Sequence, residues 1–113
     1  MSATRKKLTP TQRRIIWNKG GRCCAYCGQE IKLTEMQADH LVPLHNGGMD
    51  DMSNLVCACR SCNWYKSTFS VETFRQQIAA IPARLRKNPA FRIAERYGLI
   101  TVNQKPVTFR TDK

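Results

Sequence analysis

A chain of 113 residues is long enough for one domain with a modest core and short enough to benefit from a staple. Its formal charge of +11 suits a polyanionic partner better than a merely solvated charged face does. No apolar run approaches a membrane span, and the basic start Ser2–Leu8 has no apolar segment after it, so neither a membrane-spanning helix nor a secretory leader is expected.

Without a sign of export, the six cysteines are expected to be thiols and metal ligands rather than a disulfide framework, in a cytoplasmic protein. The positive charge is concentrated at the front. Arg5, Lys6, Lys7, Arg13, Arg14, Lys19 and Arg22 all precede Glu30, the first acidic residue. Nucleic acid is the partner this asymmetry fits, with Arg13 and Arg14 among the contacts.

In chain order, residues 1–8 read as a basic arm. Thr9-Pro10 is a helix start, with Thr9 as N-cap and Pro10 at the first helical position. The helix, 9–20, carries Ile15, Ile16 and Trp17 towards the body of the domain and stops at Gly20-Gly21. Cys24 to Gly28 forms a knuckle, residues 30–33 a short strand, and residues 36–42 a longer strand ended by Pro43.

A loop from 44 to 53 turns at Asn46-Gly47-Gly48, and an apolar return strand covers 55–57. A second knuckle then leads into a helix over 60–66. Ser70 caps a further helix through Val71, Phe74, Ile78 and Ile81. Pro82 either kinks that helix or divides it from the next one. Asn88-Pro89 opens a last helix that Gly98 ends, and the tail, 99–102 and 106–109, has the composition of a final strand. The expected organisation is one α+β domain. Residues 21–68 are its core, and 69–113 a helical extension that supports it and faces DNA.

Two Cys-x-x-Cys pairs, Cys24-Ala-Tyr-Cys27 and Cys59-Arg-Ser-Cys62, carry the strongest chemical signal, because two thiolates at that spacing grip one tetrahedral ion from a tight turn. Cys24, Cys27, Cys59 and Cys62 form a closed ligand set for a structural Zn²⁺. Cys23 and Cys57 are left over, with Cys23 an alternative to Cys24 if the turn is wider. The enclosed residues 28–58 are more than a zinc-ribbon connection needs, so a functional segment is expected there.

Asp39-His40 lies inside it. Cleaving a phosphodiester needs a base for water and a divalent ion at the phosphate; His40 suits the first task, and Asp39 is a hard donor for Mg²⁺ or Mn²⁺. Strand neighbours point to opposite faces, so one site containing both requires a bend, for which Pro43 is well placed. Two roles fit Asn63: an amide oxygen opposite Asp39 on the ion, or a helix cap. Asn54 suits an Asx-type turn that binds loop backbone. His45 is expected to be solvated or to touch phosphate. Arg60 and Lys66 are either phosphate contacts or helix-surface charge, and Trp64 and Tyr65 either stack on a base or pack, packing being the expectation for Trp64.

Together, Cys24-x-x-Cys27, Asp39-His40, Pro43, Gly47-Gly48, Asn54-Leu55 and Cys59-x-x-Cys62-Asn63-x-x-Lys66 resemble the HNH endonuclease family in its zinc-binding, four-cysteine form. The resemblance covers residues 20–68 and agrees in order, residue type and interval. It implies a ββα-metal core with His40 as general base and Asn54 bracing the loop that orients it. Asp39 and Asn63 would hold the catalytic ion, and DNA cleavage would leave 5′-phosphate and 3′-hydroxyl ends. Many members carry a third His where this chain has Asn63; this H-N-N variant tilts the preference towards Mg²⁺. No small-molecule cofactor is implied, and no dimer seam is visible, so a monomer or weak dimer is expected. By likeness alone the setting is a phage, mobile element or restriction system. The competing expectation is a zinc-stabilised DNA- or RNA-binding module without catalysis.

Overall fold

Thr9 starts the first helix by a reciprocal cap. Its hydroxyl accepts the Gln12 N–H at 3.1 Å, and the Gln12 side-chain oxygen accepts the Thr9 N–H at 2.9 Å. Helix α1 (Pro10–Lys19) follows and ends as the Gly20 N–H reaches the Ile16 carbonyl. The computed structural model describes residues 7–112, so residues 1–6 of the expected basic arm lie outside the described residues. The chain forms two compact units, one up to Phe74 plus the segment from Thr108, the other Arg75–Val107.

In the first unit, β1 (Gln37–His40) pairs antiparallel with β2 (Leu55–Ala58), setting Ala38 opposite Cys57 and His40 opposite Leu55. A two-stranded sheet is marginal alone. It is covered by α1, through the fully buried Ile16, and by α2 (Arg60–Lys66). Helix α3 (Val71–Ala79) starts under the Ser70 hydroxyl, which accepts the Thr73 N–H, and buries Phe74 completely. Tyr26, Phe74 and Phe109 form an aromatic cluster with centroids 5.2–5.3 Å apart, two contacts edge-on and one stacked. This is the α+β arrangement of two strands and a helix, with flanking helices.

Four local expectations are corrected. Residues 30–33 make only an isolated bridge, Cys23 to Glu30, before a 3₁₀ turn at Leu33–Glu35. The Arg13 guanidinium takes the Leu33 and Met36 carbonyls at 3.2 and 2.7 Å, so those groups are not offered to a strand partner. Strand β1 is shorter than expected because beyond Leu41 its ladder passes to the Asn54 side chain, whose oxygen accepts the Val42 N–H at 3.0 Å. The tail forms no strand: the Arg110 and Thr111 N–H groups instead bond the Tyr26 and Ala25 carbonyls, which pins Phe109 into the core. Ile15 is half exposed, since α1 turns only Ile16 fully inward and Trp17 partly, with its indole N–H on the Ile31 carbonyl at 2.7 Å.

In the second unit, Pro82 divides the helices. Helix α4 (Ile81–Leu85) begins there after a non-cap Ala80. Helix α5 (Pro89–Arg96) is capped by the Asn88 side chain, which accepts the Ala90 N–H at 2.9 Å. The Arg86 guanidinium grips both Glu95 carboxylate oxygens at 3.0 Å.

Candidate metal centre and active site

The first knuckle is built by backbone. The Gly28 N–H returns to the Cys24 carbonyl and the Tyr26 N–H donates to Cys24 Sγ at 3.4 Å. The second repeats the device at the start of α2, where Cys59 is the N-cap and its sulfur accepts the Cys62 N–H at 3.4 Å. The Ala25 N–H bonds the Cys57 carbonyl, which joins the first knuckle to β2 and so to the second. The sulfurs of Cys24, Cys27, Cys59 and Cys62 thus lie within 4.8 Å of one another, with Cys27 and Cys59 at 3.8 Å. Sulfurs about 2.3 Å from a tetrahedral ion stand about 3.8 Å apart, so the cluster fits zinc. Such a set leaves no open position, which makes the centre structural.

Proton sharing marks the same cluster. Cys24 is pulled down to about 4, chiefly by the Cys62 thiol donating to it, while Cys62 and Cys27 are pushed up. Cys24 ionises readily, while Cys27 and Cys62 hold their protons until a cation replaces them. Cys57 is fully buried, and burial raises it to about 11, so it stays a neutral thiol. Of the leftover pair, Cys23 also stands outside the cluster; Cys24 supplies the ligand.

Asp39 and His40 are both buried at the end of β1 and engage different neighbours, as strand alternation requires. His40 Nε2 lies 2.9 Å from an Asp50 carboxylate oxygen. A carboxylate there only accepts, so Nε2 carries a proton and the Nδ1 lone pair is left for chemistry when the ring is neutral. The loop presenting Asp50 is held by Asn54, whose side-chain N–H groups reach the Val42 and Met49 carbonyls at 2.9 and 2.8 Å. Gly48 is required in that loop, because a Cβ there would fall 1.8 Å from the Val42 carbonyl oxygen. His45 lies exposed in the same loop.

Asp39 Oδ2 accepts from the Tyr26 hydroxyl at 2.5 Å and pairs with Lys66 Nζ at 3.1 Å. Burial, then the Asp39 carboxylate, pushes the Tyr26 phenol far above its ordinary range, which keeps it a donor. Lys66 Nζ also reaches the His40 carbonyl at 3.1 Å. Asn63 and Lys66 are three residues apart on α2, hence on one face, and Lys66 shows that this face meets Asp39. Among the described residues, Asp39 Oδ1 and the Asn63 side-chain amide have no hydrogen-bond partner. A carboxylate oxygen and an amide oxygen are both hard donors, the chemistry that a divalent ion such as Mg²⁺ or Mn²⁺ takes.

Two expectations about this surface are corrected. Lys66 is fully buried rather than a phosphate contact on the helix surface, because its ammonium is drawn in by Asp39 and the His40 carbonyl. Trp64, expected to pack, is 79 % exposed: α2 turns Lys66 inward and so turns Trp64 out. Arg60, one helical turn before Trp64, and Arg14 on α1 are exposed as well, while Arg13 is half-buried on backbone carbonyls. Sequence reasoning missed Asp50 and Tyr26. Asp50 hides in an Asp50-Asp51 loop pair in which Asp51 only caps a turn through the Ser53 N–H. Tyr26 has the character of knuckle filler, and its position between two ligands was the available signal.

Comparison with known proteins gives the same placement. Residues 24–79 match the family model for HNH endonuclease. A 44-residue stretch is 41 % identical to the CRISPR-associated endonuclease Cas9 of Corynebacterium diphtheriae, covering 38 % of this chain and 4 % of that protein. The fold is similar to the crystal structure of the Type II-C Cas9 enzyme from Actinomyces naeslundii. That match has a TM-score of 0.56 and 28 % identity over 66 % of this chain and 8 % of that one. The chain therefore spans a small fraction of the proteins it resembles; the family match, residues 24–79, contains both knuckles and the strand pair. Through residues 24–79, it belongs to the HNH endonuclease family in its four-cysteine form.

Proposed function

We propose that this protein is a metal-dependent endonuclease that hydrolyses DNA phosphodiester bonds, organised as an HNH core over residues 21–68 with helices on either side. The observation that carries the reading is the adjacency, at the end of a zinc-clipped strand pair, of His40, held by Asp50, and Asp39, met through Lys66 by the α2 face that bears Asn63. His40 accepts a proton at Nδ1 from a water molecule whose oxygen attacks phosphorus, while Asp50 holds the ring by Nε2 and Asn54 holds the loop. The P–O3′ bond breaks and the leaving oxygen takes a proton from solvent, giving 5′-phosphate and 3′-hydroxyl ends. A divalent ion on Asp39 and Asn63 supplies neutralisation of the charge that builds on the phosphate. The net charge of +11 and the likeness to Cas9 endonucleases support DNA as the polyanion. Cleavage of supercoiled plasmid by the zinc-loaded protein, with and without Mg²⁺ or Mn²⁺, tests the proposal: nicked or linear product should appear only with the ion.

One observation favours a different reading. Lys66 already neutralises Asp39, as it would in a zinc-stabilised DNA-binding module that needs no catalytic ion. That module predicts tight, salt-sensitive DNA binding and intact plasmid under every ion.

The exposed Trp64, with Arg60 one turn away on α2, is placed to stack on a base while the guanidinium meets phosphate. Trp64→Ala is expected to weaken oligonucleotide binding by about 1–3 kcal/mol, the usual worth of one stacked base, with the melting temperature unchanged. Equal affinity for variant and parent at matched salt removes Trp64 from the interface.

A further inference from the structure

Each zinc knuckle sends one arm to the same carboxylate oxygen. Tyr26 lies between the ligands Cys24 and Cys27, its ring locked edge-on against Phe74 and Phe109, and its hydroxyl donates to Asp39 Oδ2. Lys66 lies one helical turn after the ligand Cys62, and its ammonium meets Asp39 Oδ2 as well. Both side chains are almost completely buried, so neither arm has solvent to exchange with.

We infer that Tyr26 and Lys66 are positioning residues that hold Asp39 by Oδ2 and thereby offer Oδ1 alone to the catalytic ion. The inference rests on the reading of Asp39 as a ligand of that ion. A carboxylate on a short side chain turns broadly about its last torsion and presents two equivalent oxygens. Two bonds to one oxygen remove both freedoms: the group is fixed in one pose and one oxygen is spent. The ion then meets a single, pre-aimed donor, with no reorganisation needed when it arrives.

The arrangement also links the two metal centres. The knuckle turn that places the Cys24 and Cys27 sulfurs is the same turn that places the Tyr26 hydroxyl, so the structural ion and the catalytic ion are joined through one side chain. Lys66 adds a condition. An ammonium 3.1 Å from the carboxylate lowers its appeal to a cation, so the alignment supplied by the Tyr26 hydroxyl offsets part of that loss.

The test is Mn²⁺ binding to the zinc-loaded protein without DNA, read by the electron paramagnetic resonance of free Mn²⁺. Tyr26→Phe keeps the ring and removes only the hydroxyl. It is expected to raise the Mn²⁺ dissociation constant about 10- to 100-fold, the usual loss when a partner of a ligand is removed, with zinc content and circular dichroism unchanged. Asp39→Asn serves as the reference and is expected to lose Mn²⁺ more completely. Parent-like Mn²⁺ affinity in Asp39→Asn overturns the reading of Asp39 itself. Loss in Asp39→Asn with parent affinity in Tyr26→Phe overturns the positioning role alone. A crystal structure of the parent protein with zinc and Mn²⁺ decides the matter even if Tyr26→Phe fails to fold. The ion on Oδ1, with the Tyr26 hydroxyl still on Oδ2, is the expected result; an ion on Oδ2 or on both oxygens overturns it.

Discussion

His40→Ala is expected to lower the rate of plasmid cleavage by about 10²- to 10⁴-fold, the range that one positioned base contributes, while leaving the fold and the affinity for DNA nearly as they are. The fold should survive because what β1 takes from this position is largely backbone. The carbonyl of His40 accepts from Lys66, and the residue pairs with Leu55 across the sheet; alanine keeps both. Among the described residues the imidazole itself makes one bond, to Asp50, which sits in a partly exposed loop where water replaces the lost partner. Asp50→Asn provides the companion test. Its amide can turn an N–H₂ group towards Nε2, which reverses the tautomer and puts the proton on Nδ1. Cleavage should fall in Asp50→Asn with DNA affinity kept, and the ¹⁵N resonances of the imidazole should report the change of tautomer. Full cleavage by His40→Ala would falsify the base assignment; an unchanged tautomer in Asp50→Asn removes Asp50 from the positioning of the ring.

What the sequence made legible follows a physical division. Features set by a local rule were readable: Thr9-Pro10 and Ser70 as helix starts, Pro82 as a divider, the paired cysteines as one cluster, and α2 from Arg60 to Lys66. Each depends on neighbours a few residues away. Features set by a distant competitor were not. The expected strand at 30–33 fails because Arg13, from α1, takes carbonyls at the end of that segment. The tail resembles a strand in composition, yet its N–H groups are taken singly by the Tyr26 and Ala25 carbonyls. Lys66 and Trp64 show the same limit at the site. A lysine and a tryptophan two residues apart on a helix face different ways, and hydrophobicity alone assigns the tryptophan to the interior. The buried Asp39 carboxylate reverses that choice by pulling the ammonium in. Asp50, a partner brought by the fold from outside the local pattern, is invisible for the same reason, whereas Tyr26 is marked only by its place between two ligands.

Removing the structural ion is expected to unfold the first unit. Excess chelator at neutral pH should abolish its cooperative thermal transition, and added Zn²⁺ should restore it. The magnitudes favour this outcome. Binding of a structural Zn²⁺ is worth about 10–16 kcal/mol in small zinc domains, whereas a whole domain is stable by only about 5–15 kcal/mol. Here the ion fastens a sheet of two short strands to a helix of under two full turns, elements too small to persist by themselves. Cys27→Ser should act in the same direction, because a hydroxyl is a poor substitute for a thiolate. Cys27 is the most exposed of the four ligands, so this change leaves the aromatic core beneath it intact and isolates the loss of the metal bond. The dependence on pH has a definite sign. Cys27 and Cys62 must give up protons that the cluster holds more tightly than a free thiol does, so each step towards acid favours proton over zinc. Zinc affinity, and with it the melting temperature, should therefore fall as the pH is lowered from neutral, whereas a disulfide staple exchanges no proton and would contribute no such dependence. Melting curves recorded from pH 8 to pH 5, with zinc content measured at each point, check both claims. A Cys27→Ser protein that retains one zinc per chain and melts with the parent would remove Cys27 from the ligand set and leave the cluster to the remaining cysteines.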